Sequence, residues 1–458
     1  MDWKVRVCAS VEEMRAAVSP IWHYFGRSGP TEEQIASLAR VLPAERMHAA
    51  WDGNRVVGGA GAFPFELTVP GGRVRAAGVT VVGVLPSHRR RGVLRAMMRA
   101  QLDACRQNGE PVAYLWATEE TIYGRFGYGL ASLATEIDFA RERSAYYARA
   151  EPFGETRLVS LGEAEPLVAP VWERVAAVTP GMFARTSAWW QARALADPDW
   201  RRRGGGDLRC AVVEARGRST AYALYRVNLA IDRGVQIGSL DVIEAMGDSP
   251  EATRAIWRFL LDVDWTARVK SWLLPVDHPL VLLVAEPRRL RLSVRDALWV
   301  RLVDVGAALA ARAYAAPASV VIEIGDAFCP WNQGRWRVSA GGVERTNDPA
   351  DLAGDVTALA AVYLGGFTWT QLARALRVTE LRPGGSRAPT RSSRGTIPRP
   401  GARKSSEPPA GPSPAATAHF IVAGSLSCAA AGMNDRQVRA SVETRANDRC
   451  LIWVSSAV

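Results

Sequence analysis

Three consecutive arginines and a glycine stand where an apolar, strand-like run meets a helix-like one. Residues 79–85 read VTVVGVL, Pro86 ends that run, and residues 89–92 read RRRG before apolar residues recur at helical spacing. The start of a helix leaves several backbone N–H groups unpaired and carries the positive end of the helix dipole, so it attracts anions. Gly92 has no side chain to keep a bulky anion from the backbone, and the arginines add positive charge. This seam therefore predicts a site for a phosphate or pyrophosphate group.

The common phosphate-binding motifs do not account for this seam. The sequence contains no G-x-x-x-x-G-K-[ST], and no G-x-G-x-x-G between a strand and a helix. Residues 124–129, GRFGYG, have the wrong spacing and follow a helical turn. What remains is an R-x-x-G turn, which alone is a weak motif, so a solvated basic helix start is the other interpretation left open. His88 adjoins the turn without a partner at catalytic spacing, and we expect it to be solvated.

Helical and strand-like segments alternate around the seam in residues 1–150. Ser10 followed by Glu13 predicts a helix start with a capping box, and Asp52-Gly53 marks a hairpin turn between two strands. The helix after the seam places its apolar residues on or near one face, which we expect to be buried: Val93, Leu94, Met97, Met98, Leu102 and Cys105.

A second and a third domain follow. Residues 151–298 repeat the rhythm of the first domain more loosely and resemble a second copy of it. Where the first copy has SHRRRGV the second has GDSPEAT, without arginines and without a helix-opening glycine. We expect the copies to share a fold and only the first to bind an anion. Residues 299–383 are predicted to form a small α+β unit that opens with a helix over LWVRLVDVGAALAARAY.

The composition changes at residue 384. Gly, Pro and Ser make up 18 of the 31 residues 384–414, with arginines between them. Such a stretch buries too little apolar surface to offset its ordering entropy, so we expect residues 384–458 to be disordered. The predicted fold class is α+β, a mixed helix and sheet protein with three folded domains and this tail.

Bulk properties exclude several classes of protein. The net charge of +11 is concentrated in the tail, which holds ten Lys or Arg and four Asp or Glu, so no nucleic-acid partner is expected of the folded domains. Nucleic-acid binding through the basic tail stays open as a second alternative function. The six cysteines are scattered with no C-x-x-C pair, which favours neither a metal site nor a disulfide framework. The chain has no run of 18 uncharged apolar residues and no signal segment, so the sequence predicts a cytoplasmic protein without a membrane span.

A second motif gives the seam a specific interpretation. Residues 115–132 read LWATEETIYGRFGYGLAS, with Thr118 after a strand and a tyrosine just ahead of FGYG. The two motifs resemble the GNAT superfamily of N-acetyltransferases. In that superfamily an R/Q-x-x-G-x-G/A turn holds the coenzyme A (CoA) pyrophosphate, and a Y-x-x-x-G-F/Y element presents a tyrosine to the thioester. RRRGVL departs from the first pattern at Leu94.

The resemblance narrows further when the whole chain is considered. The degenerate second copy and the third domain, with FCPWNQGRWRV and YLGGFTWTQLARALRVTELRPG, make the chain similar to the Eis (enhanced intracellular survival) family. Members of that family consist of tandem GNAT (acyl-CoA N-acyltransferase) domains followed by a sterol-carrier-protein-like domain. The resemblance implies an acetyl-CoA-dependent N-acetyltransferase that acts by direct attack.

The resemblance also implies a role for each site residue. Acetyl transfer to an amine requires a held pantetheine arm, a polarised thioester carbonyl, an uncharged amine and a proton for the departing thiolate. Backbone groups of the strand supply the first two, because Gly83 permits a bulge that frees N–H donors. Tyr123 is the implied proton donor, since a phenol of pKa ~10 is protonated at neutral pH. The implied acetyl-CoA contacts are Val82, Gly83 and Val84 at the acetyl-pantetheine portion, Arg90, Arg91, Gly92, Val93, Leu94 and Arg95 around the pyrophosphate, and Thr118 and Glu119 closing the site.

The proton acceptor and the substrate are the remaining expectations. In the family the chain's own terminal carboxylate takes the amine proton, which here implicates Val458, although the tail departs from the family's ending. The implied substrates are small polyamines such as aminoglycosides, or lysine side chains, and the implied assembly is a homohexamer. Glu32, Glu33, Glu119 and Glu120 form either an acidic mouth for such amines or a solvated face. The alternative function is a catalytically impaired homologue that binds acetyl-CoA or another ligand and lacks the base.

Overall fold

The computed structural model describes residues 3–149, 151–202, 204–314, 319–383 and 385. These residues form a mixed helix and sheet structure, as predicted, with two seven-stranded sheets, a five-stranded sheet and a short hairpin. The predicted disorder of the tail and the role of Val458 concern positions outside the described residues.

The elements follow one another in this order. The first stretch contains β1 (Lys4–Val7), α1 (Val11–Tyr24), α2 (Glu32–Ala39), β2 (Met47–Asp52), β3 (Arg55–Val69), β4 (Gly72–Val84), α3 (Val93–Gln107), β5 (Val112–Trp116), α4 (Glu120–Tyr123), β6 (Gly129–Leu130) and β7 (Leu133–Ala140). The second contains β8 (Glu155–Val159), α5 (Leu161–Ala176), α6 (Ser187–Trp189), a π-helical turn (Trp190–Ala194), α7 (Asp199–Arg202), β9 (Leu208–Ala215), β10 (Arg218–Asn228), β11 (Ile231–Asp232), β12 (Val235–Gln236), β13 (Ser239–Gly247), α8 (Pro250–Asp262), β14 (Arg268–Pro275), α9 (Leu280–Leu283) and β15 (Ser293–Asp296). The third contains β16 (Leu298–Leu302), α10 (Val305–Ala310), β17 (Val320–Gly325), β18 (Gly334–Ser339), β19 (Gly342–Arg345), β20 (Leu352–Asp355), α11 (Val356–Tyr363), α12 (Trp369–Arg374) and β21 (Val378–Glu380).

The predicted tandem repeat is visible in the two large sheets. The first sheet has the order β1-β2-β3-β4-β5-β16-β6, and the second has the order β15-β7-β14-β13-β10-β9-β8. In each sheet an antiparallel pair leads into a helix that crosses to a parallel strand. The helix is α3 between β4 and β5 in the first sheet, and α8 between β13 and β14 in the second.

The two sheets exchange strands across the chain. The strand β7 precedes the predicted boundary at residue 150, yet it pairs with β14 and β15 in the second sheet. The strand β16 comes after the second sheet's own strands and inserts between β5 and β6 of the first sheet. The polypeptide therefore links the two sheets through β7 and returns to the first one through β16.

The helix predicted over residues 298–314 is wrong at its beginning. Residues 298–302 form β16, and only Val305–Ala310 are helical. A strand that is buried on both faces carries a continuous apolar run, and this run has no period that separates it from a buried helix. The position of β16 between two other strands, which no local pattern reveals, decides the outcome.

Two helix starts in the first domain show how the sequence sets the elements. The Ser10 side chain accepts a hydrogen bond from the Glu13 backbone N–H at 3.3 Å, as predicted. The capping box is not completed, because the Glu13 carboxylate accepts from the backbone N–H of Ala9 instead and pairs with Arg6. Helix α3 buries the predicted face, with Leu94 half-buried and Gln101 added to it.

The first and third domains share one apolar core. It runs from β3, β4 and β5 through β16 into the five-stranded sheet β19-β18-β17-β20-β21 and its helix α11. Gly129 permits this packing, since a Cβ there would lie 2.0 Å from the carbonyl oxygen of Thr357 on α11. Over the described ranges, none of the helices has both the length and the apolar character needed to traverse a bilayer.

Candidate active site

The turn between β4 and α3 presents the backbone N–H groups of a helix start. Arg90 and Gly92 both adopt left-handed conformations, with φ of 60° and 86°, and α3 begins at the following Val93. The carbonyl oxygen of Gly92 accepts from the N–H of Ala96 at 3.0 Å, so the N–H groups of residues 92–95 have no acceptor within the helix. The side chains of Arg89, Arg90 and Arg91 are exposed around this turn. The arrangement fits a diphosphate.

Trp3 contacts the turn between β4 and α3, and His88 just before the three arginines is held by Asp52. Trp3 donates its indole N–H to the carbonyl oxygen of Arg91 at 2.8 Å, and the Arg91 guanidinium lies 5.2 Å from the Trp3 ring centroid. His88 is buried, and its Nε2 lies 3.0 Å from Oδ2 of Asp52. The expectation that His88 is solvated is therefore wrong. Its partner comes from the β2–β3 turn, a contact that sequence spacing does not reveal.

The strands β4 and β5 separate toward the carboxyl end of β4, which leads into this turn. They pair in parallel only from Ala76 to Gly78 with Val112 to Tyr114, and the remainder of β4 is not paired with β5. Parallel strands that part in this way open a cleft at their carboxyl ends. The backbone of the rest of β4 lines one side of that cleft and is available to an extended ligand arm.

The predicted bulge in β4 exists, but it lies before Gly83. Val81 and Val82 together face Ala60 of β3, and Val81 has a φ of 47°. A bulge leaves part of the hydrogen-bond ladder unpaired, so backbone donors or acceptors become available here. Gly83 has a different role, since a Cβ there would lie 2.6 Å from the backbone nitrogen of Ile21. It permits α1 to pack against β4.

The opposite side of the cleft is formed by the residues after β5. Thr118 and Glu119 are exposed there, and the Glu119 carboxylate accepts a hydrogen bond from the hydroxyl of Tyr24 at the end of α1. The guanidinium of Arg89 lies 5.1 Å from the centroid of the Tyr24 ring. Tyr24 therefore links the turn before α3, residues 85–92, to the turn between β5 and α4. Sequence analysis missed it because it belongs to no motif and is simply the last residue of α1.

Tyr123 ends α4 beside this link. Its ring is half-buried and lies edge-to-face with that of Tyr128, at a centroid distance of 5.8 Å. Burial raises the pKa of Tyr123 above its usual value, and the nearby Glu119 and Tyr24 raise it further. A phenol in this environment keeps its proton at neutral pH and can donate it.

Two predicted contacts are not joined to this cleft by the structure. The guanidinium of Arg95 lies 5.3 Å from the ring centroid of Phe328, so it faces the third domain. Glu32 pairs with Arg15 at 3.7 Å, whereas the contact of Glu119 is with Tyr24. The remaining predicted residues belong to the end of β4, to the turn before α3 and its first residues, or to the segment from β5 to the end of α4: Val82, Gly83, Val84, Arg90, Arg91, Gly92, Val93, Leu94, Thr118, Glu119 and Tyr123.

The second copy has a helix at the same position, but this helix offers fewer free backbone N–H groups at its start. Helix α8 begins with Pro250, which has no N–H, and the Ser249 hydroxyl accepts from the N–H of Ala252 at 3.1 Å. The Asp248 carboxylate, just before this helix, pairs with Arg174 at 2.7 Å. Within the described ranges no group of three or more His, Cys, Asp or Glu side chains is arranged to hold a metal ion.

Comparison with protein families finds three matching domain models along the chain. Residues 9–131 and 181–302 each match an acetyltransferase (GNAT) domain, and residues 305–393 match a sterol carrier protein domain. The crystal structure of Eis1 from Mycobacterium abscessus superposes with a TM-score of 0.73 at 35% identity, covering 84% of this chain and 95% of that one. A GCN5-related N-acetyltransferase from Anabaena variabilis, at 21% identity and a TM-score of 0.72, shares the fold.

Sequence relatives cover most of the chain. An uncharacterized N-acetyltransferase of Streptomyces coelicolor is 45% identical over 373 residues, which are 79% of this chain and 89% of the relative. The N-acetyltransferase Eis of Mycobacterium tuberculosis is 34% identical over 346 residues, which are 72% of this chain and 81% of Eis. The turn before α3, the separated pair β4–β5 and the third domain thus occur in a chain with the domains that the resemblance implied. The chain belongs to the Eis family of GNAT N-acetyltransferases, whose fold takes acetyl-CoA as cosubstrate.

Proposed function

We propose that this N-acetyltransferase transfers the acetyl group of acetyl-CoA to a primary amine of a small polyamine, such as an aminoglycoside, or to a lysine side chain. The observation that carries the proposal is the separation of β4 from β5 directly above the N-terminus of α3. It supports a bound thioester whose pyrophosphate lies at residues 90–95 and whose pantetheine arm lies along residues 82–84.

The chain's own groups would then act in a defined order. The N–H groups at the start of α3, with Arg90 and Arg91, hold the diphosphate. Backbone groups at the bulged part of β4 orient the thioester, and Thr118 and Glu119 close the opening. The amine attacks the thioester carbonyl directly, the C–S bond breaks, and Tyr123 donates its phenolic proton to the departing thiolate. Solvent then returns a proton to the phenolate.

The proton acceptor is the part of this proposal that lies outside the described residues. The family pattern assigns it to the carboxylate of Val458, and truncation of the chain after residue 383 tests the assignment. A truncated protein with unchanged kcat would remove Val458 from the mechanism. Assembly as a homohexamer is a further expectation from the family, and light scattering on the full chain tests it.

The decisive experiment is a thiol-release assay on the full-length protein with acetyl-CoA and a panel of amines, including kanamycin and a lysine peptide. We expect release of CoA that depends on the amine, together with an acetylated product seen by mass spectrometry. A protein that binds acetyl-CoA and releases no thiol with any amine would instead be the binding homologue without a base.

A further inference from the structure

A buried ion pair connects the third domain to the turn that carries Tyr123. Arg301 of β16 and Asp326 after β17 have side-chain exposures of 0% and 1%, and Nη2 lies 2.7 Å from Oδ2. The Asp326 carboxylate also accepts from the backbone N–H of Cys329 and from the side-chain amide of Asn332, each at 2.9 Å. These two hydrogen bonds therefore fix the orientation of the Asp326 carboxylate independently of Arg301.

The other terminal nitrogen of the Arg301 guanidinium contacts the turn at residues 123–128, the tyrosine turn. Its Nη1 donates to the carbonyl oxygen of Gly127 at 3.4 Å. Gly127 has a φ of 85°, and a Cβ there would lie 1.8 Å from that same Nη1. Only glycine satisfies both conditions, so the guanidinium occupies the space next to the turn that any other residue would fill.

The turn itself contains Tyr123. The N–H of Gly127 donates to the carbonyl oxygen of Gly124 at 2.9 Å, and the N–H of Tyr128 donates to that of Tyr123 at 3.3 Å. Tyr128 is fully buried against Tyr123. Any displacement of the Gly127 carbonyl therefore moves the backbone at Tyr123.

We propose that Arg301, held by Asp326, is a positioning residue that fixes the orientation of Tyr123 for proton transfer. This inference rests on the proposed role of Tyr123. Gly127, Arg301 and Asp326 fall in the residue ranges of the first, second and third matched domains, and β16, which carries Arg301, is a strand of the first sheet. The sterol-carrier-like domain is then part of the support of the active site.

The choice of residue types agrees with a positioning role. A planar guanidinium can bond to a carboxylate and to a carbonyl oxygen at once in a fixed direction, whereas an ammonium is a point charge without that fork. A buried pair is a poor means of stabilisation, because the desolvation of both charges offsets their attraction. An apolar pair of the same volume would lack the fixed direction of these hydrogen bonds.

Arg301→Lys tests the proposal, because it keeps the positive charge beside Asp326 and loses the fork. Arg46→Lys is the matched control. Arg46 is also largely buried, pairs with Glu110 at 2.7 Å and donates to the carbonyl oxygen of Ala62 at 3.0 Å, away from the tyrosine turn. If Arg301→Lys does not fold, Asp326→Asn replaces it, since it retains the shape of the carboxylate.

We expect Arg301→Lys to lower kcat about tenfold and to leave the KM for acetyl-CoA within about twofold, since the cosubstrate contacts are untouched. Hydrogen exchange of the backbone amides at residues 123–128 should become faster. In a Tyr123→Phe background the same substitution should change kcat by less than about twofold, because Arg301 acts through the phenol. Arg46→Lys should show none of these effects.

Two results would overturn the inference. One is an equal loss of kcat in Arg301→Lys and Arg46→Lys. The other is a double variant of Arg301→Lys and Tyr123→Phe whose loss of kcat equals the product of the two single losses. Full activity of Tyr123→Phe alone would separately show that the proposed proton donor is wrong, and the positioning role would fail with it.

Discussion

Tyr123 is the residue on which the chemistry of this site depends most directly. A phenol of ordinary pKa ~10 already holds its proton at neutral pH, and burial raises the pKa of Tyr123 further, so the ring stays in the protonated form that a donor requires. Tyr128 has a similar ring and is fully buried, and its hydroxyl has no hydrogen-bond partner among the described residues. The two neighbouring tyrosines thus allow the proton donor to be distinguished from a ring that only packs.

Replacing Tyr123 by phenylalanine should lower kcat by about 100-fold, the usual contribution of a positioned general acid. The KM for acetyl-CoA should change little, because the diphosphate and the pantetheine arm have other contacts. Steady-state thiol release measures both constants. Tyr128→Phe is the control, since loss of an unpaired buried hydroxyl is close to neutral for stability. Equal effects of the two substitutions would contradict the assignment.

His48 links the stability of the first domain to pH. Burial lowers the pKa of His48 to about 4, and the neighbouring Arg46 contributes to the same shift. The folded state therefore holds the ring neutral, while the unfolded chain binds a proton near pH 6.5. Stability from this residue is complete above pH 6.5 and is lost as the pH falls, because the unfolded state then binds more protons.

Between pH 7 and pH 5 this loss should amount to about 2 kcal/mol for the single histidine. His48→Asn should remove that part of the dependence. Urea unfolding of the wild type and the variant at the two pH values measures the difference. An unchanged pH dependence in the variant would mean that other groups cause the acid sensitivity.

At the scale of elements, α3 is the helix on which cosubstrate binding depends. It has a left-handed glycine at each end, Gly92 with a φ of 86° before its first residue and Gly109 with a φ of 64° after its last. A Cβ at either position meets no heavy atom closer than 3.8 Å, so backbone strain is the shared cost of a substitution. The two glycines differ in that only Gly92 lies at the proposed diphosphate site.

Gly92→Ala and Gly109→Ala should therefore each lower the free energy of unfolding by about 1 kcal/mol. Gly92→Ala alone should also weaken acetyl-CoA binding by about tenfold, since the methyl group occupies the path of the phosphate to the N–H groups. Isothermal titration calorimetry and denaturant unfolding separate the two effects. A comparable loss of affinity in Gly109→Ala would contradict the proposal that the diphosphate binds at the start of α3.

The local features of this element could be predicted from sequence, and its tertiary contacts could not. The R-x-x-G turn, the buried face of α3 and the glycine-bearing strand follow from residue type and spacing. The position of the bulge at Val81 and Val82 depends on the register with β3. Tyr24 and Arg301 come from α1 and β16, which are distant in the chain and carry no motif. Their partners are set by packing, which a single sequence does not encode in any local pattern.

At the scale of the whole molecule, two copies of one fold have diverged at the same helix start. In the first copy residues 92–95 present free N–H groups. In the second, Pro250 lacks a donor and the Ser249 hydroxyl occupies the N–H of Ala252. The second sheet nevertheless keeps its parallel pair β13–β14 and supplies β7 to connect the copies.

One molecule of acetyl-CoA should therefore bind per chain. Equilibrium dialysis or calorimetry on the full-length protein measures the stoichiometry, and we expect one site whose affinity falls with salt, because the diphosphate is held by charge and backbone dipoles. Gly92→Ala should weaken this site, and substitution of Ser249 by alanine should leave it unchanged, since that hydroxyl serves only its own helix. Two sites of similar affinity would contradict this expectation, because α8 would have to hold a diphosphate with fewer backbone donors than α3 offers.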